Sequence, residues 1–325
     1  MSAKIYLIYN PVSGQGDAAT ERSQIEAKLS ATLDLTVLET TPDESAEVLT
    51  EKALEQGAEG IVVSGGDGTV SSVAGKLVET GVPLGIVPRG TANAIAAAFG
   101  ISDNIDAACE TILNGIPREI DVGSCNGKPL LLLAGVGLEA DVISQANRQL
   151  KNKLGTAAYI LSAFQQVRNL TTFNVELETA DRIIRCDASG ITVANAAPAT
   201  SVLAQGSSDI VPFDGLLDVT IFAPAGTGSA IAASYNLFQS AMNHRSSKRE
   251  DIGYLRCESL TITTDEPQKV VLDGEMVGET PIEVRCIPKG LVLMIPREGV
   301  FDPSEKLEGL PNLQIQHKNE QPSSE

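Results

Sequence analysis

The residues best suited to chemistry are carboxylates set among glycines. Asp67 lies in Ser64-Gly65-Gly66-Asp67-Gly68-Thr69, after the β-branched run Ile61-Val62-Val63. Apolar residues follow at three- and four-residue spacing: Val70, Val73, Ala74, Leu77 and Val78. The pattern predicts a buried strand, a glycine turn and the start of a helix. Such a turn is an anion site, because glycine lets the backbone approach a phosphate and N–H groups of the first helical turn point at it. A carboxylate inside the cradle repels phosphate unless a cation or a transferable proton lies between them. Asp67 therefore points to a phosphate site that also handles Mg2+ or a nucleophile. The motif is neither a Walker A loop nor a GxGxxG fingerprint. A strand-to-helix turn with no ligand would use the same glycines.

Two later stretches carry further acids. Asp273 and Glu275 stand one residue apart in Val270-Val271-Leu272-Asp273-Gly274-Glu275. If the chain stays extended, both point to one side, and a close carboxylate pair facing a phosphate suits general-base work. An Asp-Gly hairpin turn with a solvated Glu explains the same residues. The stretch 208–218, SDIVPFDGLLD, mixes carboxylates with kinked backbone. It offers the oxygen ligands that Mg2+ takes, and equally reads as a turn entering a strand.

The elements that must position these groups fall into two halves. Strands are expected at residues 4–9, 35–39, 61–63 and 84–87, and helices at 18–33, 43–56, from 70 onward, up to Gly100 and at 104–114. Alternation every ~25–30 residues predicts parallel βαβ units. Residues 10–16 (NPVSGQG), 64–69 and 88–93 (PRGTAN) each follow a strand. In an open parallel sheet those strand ends share one edge, where ligands bind, so the three loops should converge. After residue 117 the texture changes to short β-rich runs at 119–124, 130–133, 172–178, 182–186, 191–194, 217–222, 260–264, 270–272, 282–286 and 291–295. Turn signals such as Asn126-Gly127 separate many of them. They predict a mostly antiparallel β-sandwich, interrupted by helices at 156–169 and 229–243. The expected division is an α/β nucleotide-binding domain at 1–117, a β-sandwich substrate domain at 118–296, a segment returning to the first domain at 297–316, and a disordered tail at 317–325.

Bulk properties narrow the function. The 325 residues allow two cores, and the net charge of −18 excludes a general nucleic-acid binder. It also excludes broad adhesion to anionic lipid, leaving only local basic patches. One patch is Arg148, Lys151 and Lys153; the other is His244, Arg245, Lys248 and Arg249. They read as solvated helix ends or as contacts to lipid headgroups. The five cysteines contain no CxxC and read as reduced thiols of a cytosolic protein. No apolar run reaches the ~18 residues of a membrane span, and MSAKIYLIYNP leads into a strand rather than a signal peptide. A lipid substrate would be met from the water side, which implies a cytoplasmic protein that visits the membrane transiently. The oligomeric state stays open, a dimer included.

In this order and spacing, NPVSG, GGDGT, P-x-GTAN, FDGLLD and LDGE resemble the diacylglycerol kinase catalytic-domain superfamily, in particular the bacterial YegS-like lipid kinases related to sphingosine kinases. The resemblance spans residues 5–296. It implies an α/β nucleotide domain, a C-terminal β-sandwich and an active site in the cleft. It implies an ATP site lined by Asn10, Pro11, Val12, Ser13, Gly14, Thr40, Gly65, Gly66, Asp67, Gly68, Thr69, Val70, Ser71 and Thr91. It implies that Asp273 and Glu275 deprotonate a lipid hydroxyl, that Asp121 joins the acidic network, and that Val211, Asp214 and Leu216 hold Mg2+. Two positions depart from the family pattern: Ala94 stands where many relatives have Asp, and Ser71 where many have Asn. The expected activity is transfer of the γ-phosphoryl group of ATP to a lipid alcohol such as diacylglycerol. An NAD kinase-like phosphotransferase and a non-catalytic nucleotide- or lipid-binding regulator are the alternatives.

Overall fold

The computed structural model describes residues 3–14, 16–138, 170–198, 200–207, 209–243, 245–296 and 304–318. The expected helix at 156–169, the basic residues Arg148, Lys151, Lys153 and His244, and most of the expected tail lie outside them. The chain forms two compact units, Met1–Val122 with Pro288–Val300, and Gly123–Ile287 with Phe301–Glu325.

The first unit alternates β1 (Lys4–Tyr9), α1 (Ala18–Leu29), β2 (Asp34–Glu39), α2 (Ala46–Glu55), β3 (Gly60–Gly65), α3 (Asp67–Leu77) and β4 (Leu84–Pro88). It continues through α4 (Ala94–Ala98) and α5 (Ile105–Asn114) into β5 (Ile116–Cys125). The strand order β2-β1-β3-β4 is parallel throughout, with Leu7 level with Val37 on one side and Val62 on the other. β3 is buried along its whole length, the mark of a parallel strand covered on both faces. α1 packs against α5, and α2 against α3. Asp17 caps α1 and Ser45 caps α2, each through a backbone N–H three residues on. α1 ends at Leu29, short of the expected 33, with Ser30 as its cap donating to Glu26 O and Thr32 N–H closing a tighter turn on Leu29 O at 3.1 Å. The order places β1 between β2 and β3, so the chain leaves β1 in one direction and returns on its other side. That reversal is the switch point at which open α/β sheets bind ligands.

The second unit holds two antiparallel layers. One is β12 (Ile252–Cys257), β11 (Leu217–Phe222), β10 (Gly190–Ala194), β7 (Leu133–Gly137), β14 (Lys269–Leu272) and β15 (Glu275–Glu279), in that spatial order. The other runs from β17 (Gln314–His317) through β9 (Arg182–Ala188), β8 (Phe173–Glu178) and β13 (Ser259–Thr264) to the first part of β16 (Ile282–Ile295). β5 continues into the unit and pairs with β6 (Lys128–Leu130). Inward residues alternate with outward ones: Phe173, Val175 and Leu177 of β8 meet Ile191, Val193 and Val219 of the facing layer in one core. Each such side chain contributes ~1.5–3 kcal/mol relative to exposure. A smaller cluster lies under α6 (Thr227–Asn243) and includes Ala230, Ala233, Leu237, Phe222 and Tyr254.

The boundary expectations need correction: the first unit runs to Val122 rather than 117, and its returning segment comes earlier than expected. The return to the first unit runs through residues 288–300, not 297–316. Expected strands 282–286 and 291–295 are one strand, β16, whose Leu293 pairs in parallel with Leu84. Leu307 and Leu310 enter the sandwich core, and β17 pairs with β9, which ties residues 304–318 to the second unit.

Candidate active site

The three glycine loops of the first unit meet. Asn10, at the end of β1, donates its N–H to Ser64 O at 2.9 Å and its Nδ2 to Thr69 Oγ1 at 2.8 Å. Its Oδ1 accepts Val12 N–H at 3.1 Å, which folds Asn10, Pro11, Val12, Ser13 and Gly14 into a turn. Thr69 packs so closely on β3 that a Cβ at Gly65 would fall 2.7 Å from the Thr69 Cβ. A Cβ at Gly90 would fall 2.7 Å from the Gly66 Cα, so the second and third loops touch backbone to backbone. Asn93, in left-handed conformation, accepts Gly90 N–H at 2.7 Å.

Asp67 is the first residue of α3, and its Oδ1 accepts Ile95 N–H at 2.9 Å, joining the GGDGT loop to the start of α4. The N–H comes from the residue after Ala94, so the bond needs no side chain at position 94. Gly66 supplies no capping side chain, so the first-turn N–H groups of α3 are left for an anion. Above Gly68 there is open space, with nothing within 4 Å of an added Cβ. A carboxylate among amide donors suits a Mg2+ ion carried on phosphates, which Mg2+ commonly meets through one or two carboxylates.

The other expected nucleotide residues sort by position. Thr40 follows β2, its N–H on Tyr9 O at 2.9 Å, at the same edge. Ser13 and Ser71 are half-buried, while Val12 and Thr91 are exposed. Val70 differs: its side chain is in the core and its N–H donates to Gly66 O at 3.0 Å, so neither is available to a phosphate.

Sequence reasoning passed over Arg89, which holds the edge together. Its side chain is only 2% exposed and pairs with Glu21 at 2.6 Å. It donates to Asn10 O at 3.0 Å and stacks 4.5 Å from the centre of the Tyr9 ring. Its Nη2 is buried without a hydrogen-bond partner. The signal was available: an arginine between Pro88 and Gly90 in an acidic chain.

Asp121 lies on β5, buried, and accepts the N–H of Lys289 at 2.8 Å, where β16 turns through a left-handed residue. That bond ties β5 to β16.

In the second unit the extended reading of LDGE fails. Asp273 and Gly274 both have positive φ, 46° and 92°, and form the hairpin turn between β14 and β15. The two carboxylates therefore have different surroundings. Asp273 accepts the N–H groups of Leu131, Leu132 and Leu133 at 2.8, 2.8 and 3.0 Å. Glu275 is exposed, and no hydrogen bond or ion pair engages its side chain among the described residues. Asp273 orders its neighbours; the Glu275 carboxylate is open to solvent.

Val211, Asp214 and Leu216 share the loop before β11. Asp214 Oδ1 accepts Leu216 N–H at 3.2 Å and Oδ2 pairs with Arg256. Arg256 also pairs with Asp218 at 3.1 Å, its register partner on β11. Burial pushes the Asp218 carboxyl up to about 7, against the opposing pull of Arg256. Both oxygens of Asp214 are engaged, and a guanidinium stands where a cation would neutralise it. Among the described residues no group of three or more His, Cys, Asp or Glu is placed to hold a metal. The loop as folded does not fit the expected Mg2+ ion.

All five cysteines lack a disulfide. Burial pushes the Cys109 thiol up to about 11 and those of Cys186 and Cys257 up to about 12, which keeps them protonated and inert. No helix among the described residues is long and apolar enough to cross a membrane.

A parallel α/β unit with a phosphate cradle at its switch point, joined to an antiparallel sandwich, defines a class of nucleotide-using phosphotransferases. Comparison with known proteins makes the assignment specific. Residues 4–125 match the diacylglycerol kinase catalytic domain, and residues 133–295 match the YegS C-terminal NAD kinase beta sandwich-like domain. Uncharacterized protein sll0036 of Synechocystis sp. is 43% identical over 90% of this chain and 70% of that protein. The diacylglycerol kinase of Bacillus subtilis is 27% identical over 90% of this chain and 96% of its own. A crystal structure of a provisionally named diacylglycerol kinase from Bacillus anthracis superposes with a TM-score of 0.75 at 27% identity, covering 90% of this chain and 97% of that one. The chain belongs to the diacylglycerol kinase catalytic-domain family of lipid kinases, and it is a phosphotransferase acting on an alcohol.

Proposed function

We propose that this kinase transfers the γ-phosphoryl group of ATP, with Mg2+, to the hydroxyl of a diacylglycerol-like lipid alcohol. The observation that carries the reading is the meeting of three glycine loops around Asp67 at the β1/β3 switch point. Phosphoryl transfer needs positioning and charge neutralisation more than covalent help. The first-turn N–H groups of α3 hold phosphate oxygens, Asn10 and Thr69 fix the loops against each other, and Asp67 binds the cation that ATP brings. Bound Mg2+ supplies neutralisation of charge on the β- and γ-phosphates. Glu275 takes the hydroxyl proton as the acceptor oxygen attacks, and Asp273 sets the turn that presents it. The protein works in the cytoplasm and meets its substrate by transient contact with the membrane.

The test is Asp67→Ala and Glu275→Gln, with kcat, KM and nucleotide affinity measured for each. A base acts only in the transition state, so Glu275→Gln should lower kcat and kcat/KM together by about 10²–10⁴-fold with ATP affinity unchanged. Asp67→Ala should lower turnover more than ~10-fold, a barrier change above ~1.4 kcal/mol. Wild-type turnover by either variant would remove that residue from the reaction.

A second reading has one observation behind it: the C-terminal domain family is itself described as NAD kinase-like. On that reading the acceptor is a nucleotide hydroxyl. Supplying NAD and a lipid alcohol side by side separates the two.

A further inference from the structure

α6 spans 17 residues, TGSAIAASYNLFQSAMN, without a single charged side chain. Its inner face is accounted for, since Ala230, Ala233 and Leu237 are fully buried in the small cluster beneath it. Its outer face is apolar as well. Ile231, Tyr235 and Phe238, at helical spacing, are 43%, 59% and 36% exposed. A surface helix normally turns charge to water, and an exposed apolar stripe marks a place where something docks.

The charge around the stripe indicates the partner. In a chain of net charge −18, no acidic residue occurs between Asp218 and Glu250. That interval ends in Arg245, Lys248 and Arg249. Arg249 is committed to Asp251 at 2.6 Å and to Ser229 at 3.0 Å. Arg245 and Lys248 are exposed just beyond the C-terminus of α6. Apolar side chains, including an aromatic pair, next to cations in an acid-free stretch match the headgroup layer of an anionic bilayer. A second copy of the chain is a poorer match. A two-fold contact pairs the stripe with itself and brings no acid to Arg245 and Lys248 from this segment.

We propose that the outer face of α6, with Arg245 and Lys248, is the surface by which this lipid kinase rests on an anionic membrane. The choice of a membrane as partner rests on the lipid-kinase reading; the location of the face rests on exposure and charge alone. Binding to vesicles of phosphatidylcholine alone, and of equimolar phosphatidylcholine and phosphatidylglycerol, tests it by co-sedimentation without nucleotide. The comparison uses wild type, the triple variant Ile231→Ser/Tyr235→Ser/Phe238→Ser, and the double variant Arg245→Glu/Lys248→Glu. Wild type should prefer the anionic vesicles and lose that preference as salt rises. The double variant should lose at least ~30-fold in affinity for the anionic vesicles, the scale expected for two surface cations, and the triple variant should lose affinity for both vesicle types. Melting temperature and activity on a short-chain, water-soluble acceptor should not change. Equal vesicle binding by wild type and the double variant would overturn the proposal. So would a wild-type dimer that the triple variant converts to monomer, because the face would then be a contact between copies. Variants that lose vesicle binding in a protein inactive on every lipid would support the face while failing the lipid-kinase reading.

Discussion

Asp273 and Glu275 are one residue apart, yet substitution should separate them completely. Asp273 accepts three backbone N–H groups within 3.0 Å, all from residues 131–133. Hydrogen bonds to a charged group contribute about 1.5–3 kcal/mol each, and a buried donor left unpaired costs about 1–3 kcal/mol. The three are not additive, because one carboxylate serves them all. Loss of about 3 kcal/mol is a reasonable lower figure for Asp273→Ala. For a unit of this size that corresponds to a fall of roughly 6–12 °C in melting temperature. Asp273→Asn should fall by less, since the amide oxygen still accepts while its NH2 faces a donor. Glu275→Gln removes no contact among the described residues and should melt within about 1 °C of wild type, as exposed substitutions generally do. The assay is thermal unfolding of the three variants beside wild type, with kcat measured on the same preparations below the lowest transition. If Asp273→Ala melts with wild type and its only loss is in kcat, the holding role is wrong and Asp273 belongs with the bases.

Three further outcomes follow from the loop before β11. Asp218 titrates at about 7 in the folded protein because of burial, against an ordinary value of 3.8. Its contribution to stability is therefore fully present below about 4 and is lost as pH rises through about 7. Melting temperature followed between pH 4.5 and 8 should decline in wild type over that window more than in Asp218→Asn; parallel curves would remove the assignment. Because Arg256 already pairs with both Asp214 and Asp218, the nucleotide-free protein should melt at the same temperature in EDTA and in excess Mg2+. Arg256→Gln removes the guanidinium with which both carboxylates pair and should lower the melting temperature. A rise in wild-type melting temperature with Mg2+ alone would restore a metal to this loop.

The fold was readable where local pattern and tertiary environment agree. β1 and β11 span the residues expected of them, 4–9 and 217–222, and each is buried on both faces. The three loops were readable because glycine and proline punctuate the chain directly after those runs. The candidate site was readable as motifs but not as roles. Asp273 looked like a base because alternation aligns it with Glu275, and that alignment fails once two successive residues take positive φ. Its true partners lie more than a hundred residues earlier in the chain, and nothing local announces them. Arg256 was hidden for a related reason. Its strand, β12, carries Gly253, Tyr254 and Arg256 in a run without alternation, and only the register with β11 sets Arg256 level with Asp218. The place of Asp67 at a helix start among three glycines was legible, but its bond from Ile95 N–H, across to the next loop, was not.

The central claim is that the cradle around Asp67 delivers the γ-phosphoryl group of ATP to a lipid hydroxyl. It is tested most directly by incubating the protein with γ-labelled ATP and Mg2+ together with diacylglycerol in mixed micelles and NAD in solution, then separating the organic and aqueous products. The account predicts label in the lipid phase with wild type, none on NAD, and loss of the lipid product with Asp67→Ala. Label on NAD, or lipid labelling that survives Asp67→Ala undiminished, would contradict it.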